Sequence, residues 1–136
     1  MASTELRALP QCALRRDHTI FAAALALQTA HLLDEALLHP HNGGADVTSG
    51  IIALAMGVAA VALYGRLAMW ARVMLASLFG LAGIVGGLDV HVLNAVEHGA
   101  AGSDYSGFGQ AAAGIVLLAL ATSLAARCKA DSGPPA

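Results

Sequence analysis

Four stretches of this chain are long and apolar enough to fill the thickness of a bilayer, and that constrains the fold more than any other feature. They cover residues 19–38, 47–65, 68–96 and 105–126. A hydrocarbon core takes about 20 residues of helix. The second and fourth stretches carry no charged residue. The first is uncharged until Asp34 and Glu35, and the third holds only Arg72 near its start and Asp89 deep inside it. Apolar residues surround these segments instead of forming one stripe, which suits lipid better than water. No period-two alternation points to a barrel, so the backbone groups must be satisfied inside helices.

Composition supports the same reading. Of the 136 residues 57% are hydrophobic and 12% charged, and the mean hydropathy is +0.68. A soluble domain carries about twice that charged share, and a chain of this size has no single core large enough to hide so much apolar surface. The net charge of -2 gives no footprint for nucleic acid. Cys12 and Cys128 sit near opposite ends, which is neither a disulfide framework nor a zinc knuckle. A signal peptide is the rival reading of the first stretch, because Arg15 and Arg16 precede an apolar run ending in Gln28-Thr29-Ala30. The residues just beyond that point recur late in the third stretch, which a removed segment would have no reason to share.

The charges segregate. Arg7, Arg15 and Arg16 precede the first span, Arg66 and Arg72 flank the link between the second and third, and Arg127 and Lys129 follow the fourth. These seven are all the Lys and Arg in the chain. By the positive-inside rule both termini and the middle link are cytoplasmic, as in a bacterial cytoplasmic membrane. The expected layout is a cytoplasmic N-terminal segment 1–18, a transmembrane domain 19–126 and a cytoplasmic tail 127–136, the tails short and without structure. Asp34, Glu35, Asp46, Asp89, Glu97 and Asp104 fall toward the outer side, with five of the six histidines. His18 is the exception and reads as an interfacial residue.

The halves resemble one another. His31-Leu32-Leu33-Asp34 parallels His91-Val92-Leu93-Asn94, a second histidine follows in each half (His39 and His98), and Gly44-Ala45-Asp46-Val47-Thr48-Ser49-Gly50 matches Gly102-Ser103-Asp104-Tyr105-Ser106-Gly107 with one gap. The expected fold is therefore an all-α, integral membrane, four-helix up-down bundle made of two parallel helix-pair repeats. Gly83 with Gly87, and Ala76 with Gly80, are small-residue pairs suited to close helix approach.

Ionisable residues inside spans are costly and mark sites by default. In the first span Gln28, His31, Asp34 and Glu35 share a face. In the third, Gly80, Gly87, His91, Asn94 and His98 share another, with Asp89 pointing away. Spans one and three run the same way, so His31 and His91 lie at similar depth. If the two faces meet they form a polar pocket opening outward. A set of satisfied interhelical hydrogen bonds is the plain reading of such a cluster. The functional one is a transition-metal site for iron, zinc or copper, with ligands drawn from His31, Asp34, Glu35, His91, His98 and His39. A haem b held by His31 and His91 is the related alternative. A proton relay or proton-coupled transporter without metal is a further class, and an accessory subunit of a larger membrane complex, or of a homo-oligomer, is another. Spans two and four offer little beyond Thr48, Tyr64 and Gln110. No zinc-protease, nucleophile-elbow or phosphate-loop motif is present.

His31-Leu32-Leu33-Asp34-Glu35 resembles the signature of the HXXEE-motif membrane proteins, with Asp34 in place of the first glutamate. The resemblance implies a polar site on that helix in a small multi-span protein, and carries no reaction.

Overall fold

The computed structural model describes the backbone of residues 5–38, 47–100, 102 and 104–131. The described chain is helical, with four helices long and apolar enough to cross a membrane. We number them α1 (Glu5–Leu37), α2 (Val47–Tyr64), α3 (Met69–His98) and α4 (Asp104–Asp131). Helix α1 begins well before the expected span and α4 runs past it to Asp131. Of the segments expected as structureless tails, residues 5–18 and 127–131 are helical.

Short links turn the chain back between helices. After α2 the backbone tightens at Gly65, with Arg66 N donating to Leu63 O at 2.8 Å, and Ala68 enters α3 in extended conformation. Arg72 then reaches back and donates from Nη2 to Gly65 O at 3.3 Å, a cation at the carbonyl end of α2. Helix α3 stops at Gly99, where φ is +85°, a region that side chains rarely adopt.

Packing is uneven. Helix α4 lies along α3 and also against α1, whereas α2 leans mainly on α1. The tight seam is between α3 and α4, where a Cβ on Gly87 would stand 2.6 Å from the Ala111 nitrogen. Without a water-driven hydrophobic effect between helices in lipid, such close backbone approach is what holds them. Exposed Ile51, Ile52, Leu54, Met56 and Val58 cover much of α2. The two halves do not pack equivalently, since α4 touches both α1 and α3 and α2 has no comparable contact with α3.

The core sits at the Arg-rich end of the bundle, which we label inner, the opposite end being outer. Phe21, Leu25, Tyr64, Leu117, Leu120 and Leu124 are buried together. Phe21 and Tyr64 stack with ring centroids 4.3 Å apart, and His18 stacks on Tyr64 while its Nε2 meets Val61 O at 2.9 Å. His18 is therefore part of the inner packing. Arg127 of α4 pins α1 through Asp17 at 2.8 Å.

Candidate metal centre

In the outer half, polar side chains replace this apolar packing. Helix α3 carries a π-helical segment, Gly86–Val92, closed by Leu93 N donating to Leu88 O. Two successive glycines there have low helical preference. A π segment turns less per residue than an α-helix, so faces read at α spacing drift across it, and such segments recur at functional sites. His91 lies near its end. The ring packs against Gly107 of α4, where a Cβ would overlap the imidazole.

The deep faces of α1 and α3 do meet. The rings of His31 and His91 are 4.6 Å apart between centroids and nearly perpendicular. Each is 2% exposed, and Glu35 is 9% exposed. His31 Nε2 stands 3.8 Å from Glu35 Oε2, and His91 Nε2 stands 3.6 Å from Glu35 Oε1. One ligand atom from each of the three residues lies within 4.8 Å of the others.

The opposite nitrogen of each ring is held by the first turn of α4. His91 Nδ1 donates to Asp104 Oδ1 at 3.1 Å, and Asn94 Nδ2 donates to Asp104 Oδ2 at 3.2 Å. His31 Nδ1 donates to Ser106 Oγ at 2.9 Å, and Ser106 in turn donates to Asp34 Oδ2 at 2.5 Å. This network assigns the proton of both neutral rings to Nδ1. Both Nε2 atoms then carry the free lone pair, and each stands within 3.8 Å of a Glu35 oxygen. A carboxylate behind a ligating histidine, directly or through a hydroxyl, fixes ring orientation and raises basicity. The same device is built twice with its parts exchanged. On the His31 side the carboxylate is on the histidine's own helix and the hydroxyl on α4. On the His91 side the amide is on the histidine's own helix and the carboxylate on α4.

At 3.6 and 3.8 Å the imidazole–Glu35 pairs exceed hydrogen-bond distance. Two ligand atoms about 2.1 Å from a tetrahedral ion stand roughly 3.4 Å apart, and with one ligand atom from each of the three residues within 4.8 Å of the others the trio could close on an ion. Charge points the same way. Asp34, Glu35 and Asp104 lie together at this end of the bundle, while every Lys and Arg lies at the other end of its helix or in the link between α2 and α3. A divalent cation would supply the counter-charge that buried carboxylates call for.

Of the expected ligands, His31, Glu35 and His91 come together, and Asp34 stands behind His31 through Ser106. His98 does not join them. It is exposed at the end of α3, seven residues and about 10 Å of helix beyond His91. His39 lies outside the described residues. Asp89 is exposed and faces away, as its position on α3 led us to expect. The sequence reading passed over Asp104 and Ser106, although both stand in the repeated Gly-x-Asp-x-Ser/Thr segment that signalled them.

A haem between His31 and His91 does not fit this geometry. Trans imidazoles on one iron place their ring centroids roughly 6.4 Å apart, taking metal–nitrogen bonds of about 2 Å. The observed separation is 4.6 Å, with the rings nearly perpendicular. Comparison with known proteins finds no matching family model, curated protein or solved structure.

Proposed function

We propose that this chain is an integral membrane protein, its termini cytoplasmic, that binds one divalent transition-metal ion in its outer half. The ligands are His31 Nε2, His91 Nε2 and a Glu35 oxygen. Two imidazoles and one carboxylate suit zinc or iron, with copper also within their range. Three protein ligands leave a coordination position open, which is the arrangement of a site that exchanges or transforms something and not of a purely structural one. The role is metal handling or redox chemistry at the outer leaflet. The observation that carries this reading is the hydrogen bonding behind both rings, Asp104 behind His91 and Ser106–Asp34 behind His31, which leaves both Nε2 atoms within 3.8 Å of one carboxylate.

A metal-free proton relay is less well supported. Below the trio, the region toward the cytoplasmic side is filled mainly by Ala24, Leu25, Phe21 and Leu117, and Tyr64 is the titratable side chain in that buried cluster among the described residues.

Elemental analysis of protein purified in mild detergent tests the proposal. We expect about one zinc, iron or copper per chain, and equivalent losses in His31→Ala and His91→Ala because the two rings hold equivalent positions. Loss in one variant with full occupancy in the other refutes the paired site. Terminal tags should be protected from reagents confined to the outside of intact cells.

A further inference from the structure

A cleft of about 390 Å³ runs between α1 and α4 at the Arg-rich end of the bundle. Its two ends differ in chemistry. Toward the middle of the span its walls include Ile20, Val116 and Ala119, and toward the helix ends they include Arg16 and Arg127. Arg16, Val116 and Ala119 are exposed, so the cleft lies on the surface of the bundle and is not an enclosed cavity. Val116 stands 11 residues before Arg127, about 16 Å along α4. Half of a hydrocarbon core is about 15 Å thick. The cleft is therefore as deep as one leaflet, with its cations at headgroup level.

The two cations are not equivalent. Arg127 Nη2 donates to Asp17 Oδ2 at 2.8 Å and Nε donates to Ser123 O at 3.4 Å, which fixes the guanidinium and offsets its charge. Arg16 has no ion-pair partner among the described residues. One positive charge is thus left over at the mouth of an apolar groove. Arginines at helix ends commonly extend to the interface above lipid, but here the groove beneath them has room for a chain. The occupant that satisfies both ends is an amphiphile with an anionic head. A guanidinium receives a phosphate through paired N–H groups, and a zwitterionic headgroup would bring its own cation up against Arg16.

We propose that this cleft binds one anionic phospholipid, its phosphate on Arg16 and Arg127 and an acyl chain along Ile20, Val116 and Ala119. Basic pockets between membrane helices are seats of acidic headgroups. The inference rests on the membrane-spanning part of the proposed function and is independent of the metal.

The test equilibrates the full chain in mild detergent with equimolar phosphatidylglycerol and phosphatidylcholine of matched acyl chains. Native mass spectrometry then counts each lipid-bound species. The expected result is about fivefold more bound phosphatidylglycerol, the effect of one uncompensated arginine at a headgroup. Arg16→Gln should bring the ratio close to one. Arg15→Gln removes the same charge from an exposed neighbour outside the cleft, and should leave the ratio within about twofold of its original value. Ala119→Phe should fill the groove and abolish the preference with both arginines in place. Inorganic phosphate in excess should not displace the lipid. No preference in the unaltered protein, equal losses in Arg15→Gln and Arg16→Gln, a preference that survives Ala119→Phe, or displacement by inorganic phosphate overturns the inference. Extraction of cell membranes with alkaline carbonate tests the membrane reading by itself. A chain released by carbonate refutes that reading, whereas a chain that is retained yet shows no lipid preference refutes only this one.

Discussion

The inner and outer halves of this bundle solve the problem of burial in opposite ways. The inner half packs rings and leucines, Phe21 on Tyr64 with Leu117, Leu120 and Leu124 around them, and leaves Tyr64 Oη and Arg72 Nε without partners among the described residues. The outer half buries two imidazoles and two carboxylates, and holds each ring at Nδ1. In lipid an interhelical hydrogen bond contributes only about 0.6–2 kcal/mol, so stability alone gives little reason to concentrate so many ionisable groups. The contrast sets an inner half that holds the helices together by apolar packing against an outer half whose buried ionisable groups the proposed metal site would explain.

The largest effect that sharpens this contrast is expected at Glu35. Glu35→Ala removes the shared carboxylate and should lower metal affinity more than about 100-fold, beyond what loss of an outer-shell partner does. Competition titration with a chromogenic chelator reads it directly. Asp104→Asn and Ser106→Ala remove the groups behind His91 and His31, and each should cost about 10- to 100-fold in affinity by the same titration. A larger loss than that of Glu35→Ala would mean the ligands have been misassigned. Gly107→Ala sets a methyl group on the His91 ring and should displace it, weakening binding without removing any ligand. Leu117→Ala, at the other end, should lower unfolding stability by about 2 kcal/mol, the low end for such truncations because lipid is already apolar. Its metal stoichiometry should match that of the unaltered protein. Coupled loss of metal at Leu117 would break the division between the halves.

Much of this arrangement is legible in the sequence, and the reasons differ by residue. The four spans follow from length and charge alone. His31, Glu35 and His91 stand out because lipid tolerates few ionisable residues, and the repeat puts both histidines at one depth. Asp104 and Ser106 were hidden by the boundary, since both belong to the first turn of α4 and Asp104 reads as loop before a span starting at Tyr105. The π segment has no signal beyond Gly86-Gly87, so the α spacing that grouped Gly80 and Gly87 with His91 carried across a turn where it does not hold. The unequal seating of α2 and α4 was equally hidden, because Ala- and Gly-rich helices in lipid pack by local shape that composition does not encode.

The central claim is that one ion is held by His31, His91 and Glu35, and X-ray absorption at the edge of the bound metal tests it most directly. The account requires a first shell of nitrogen and oxygen at about 2.0–2.2 Å, with outer-shell scattering from two imidazoles in the unaltered protein and from one in His91→Ala. Protein without stoichiometric metal, or a shell dominated by sulfur, or one unchanged in His91→Ala, would contradict it.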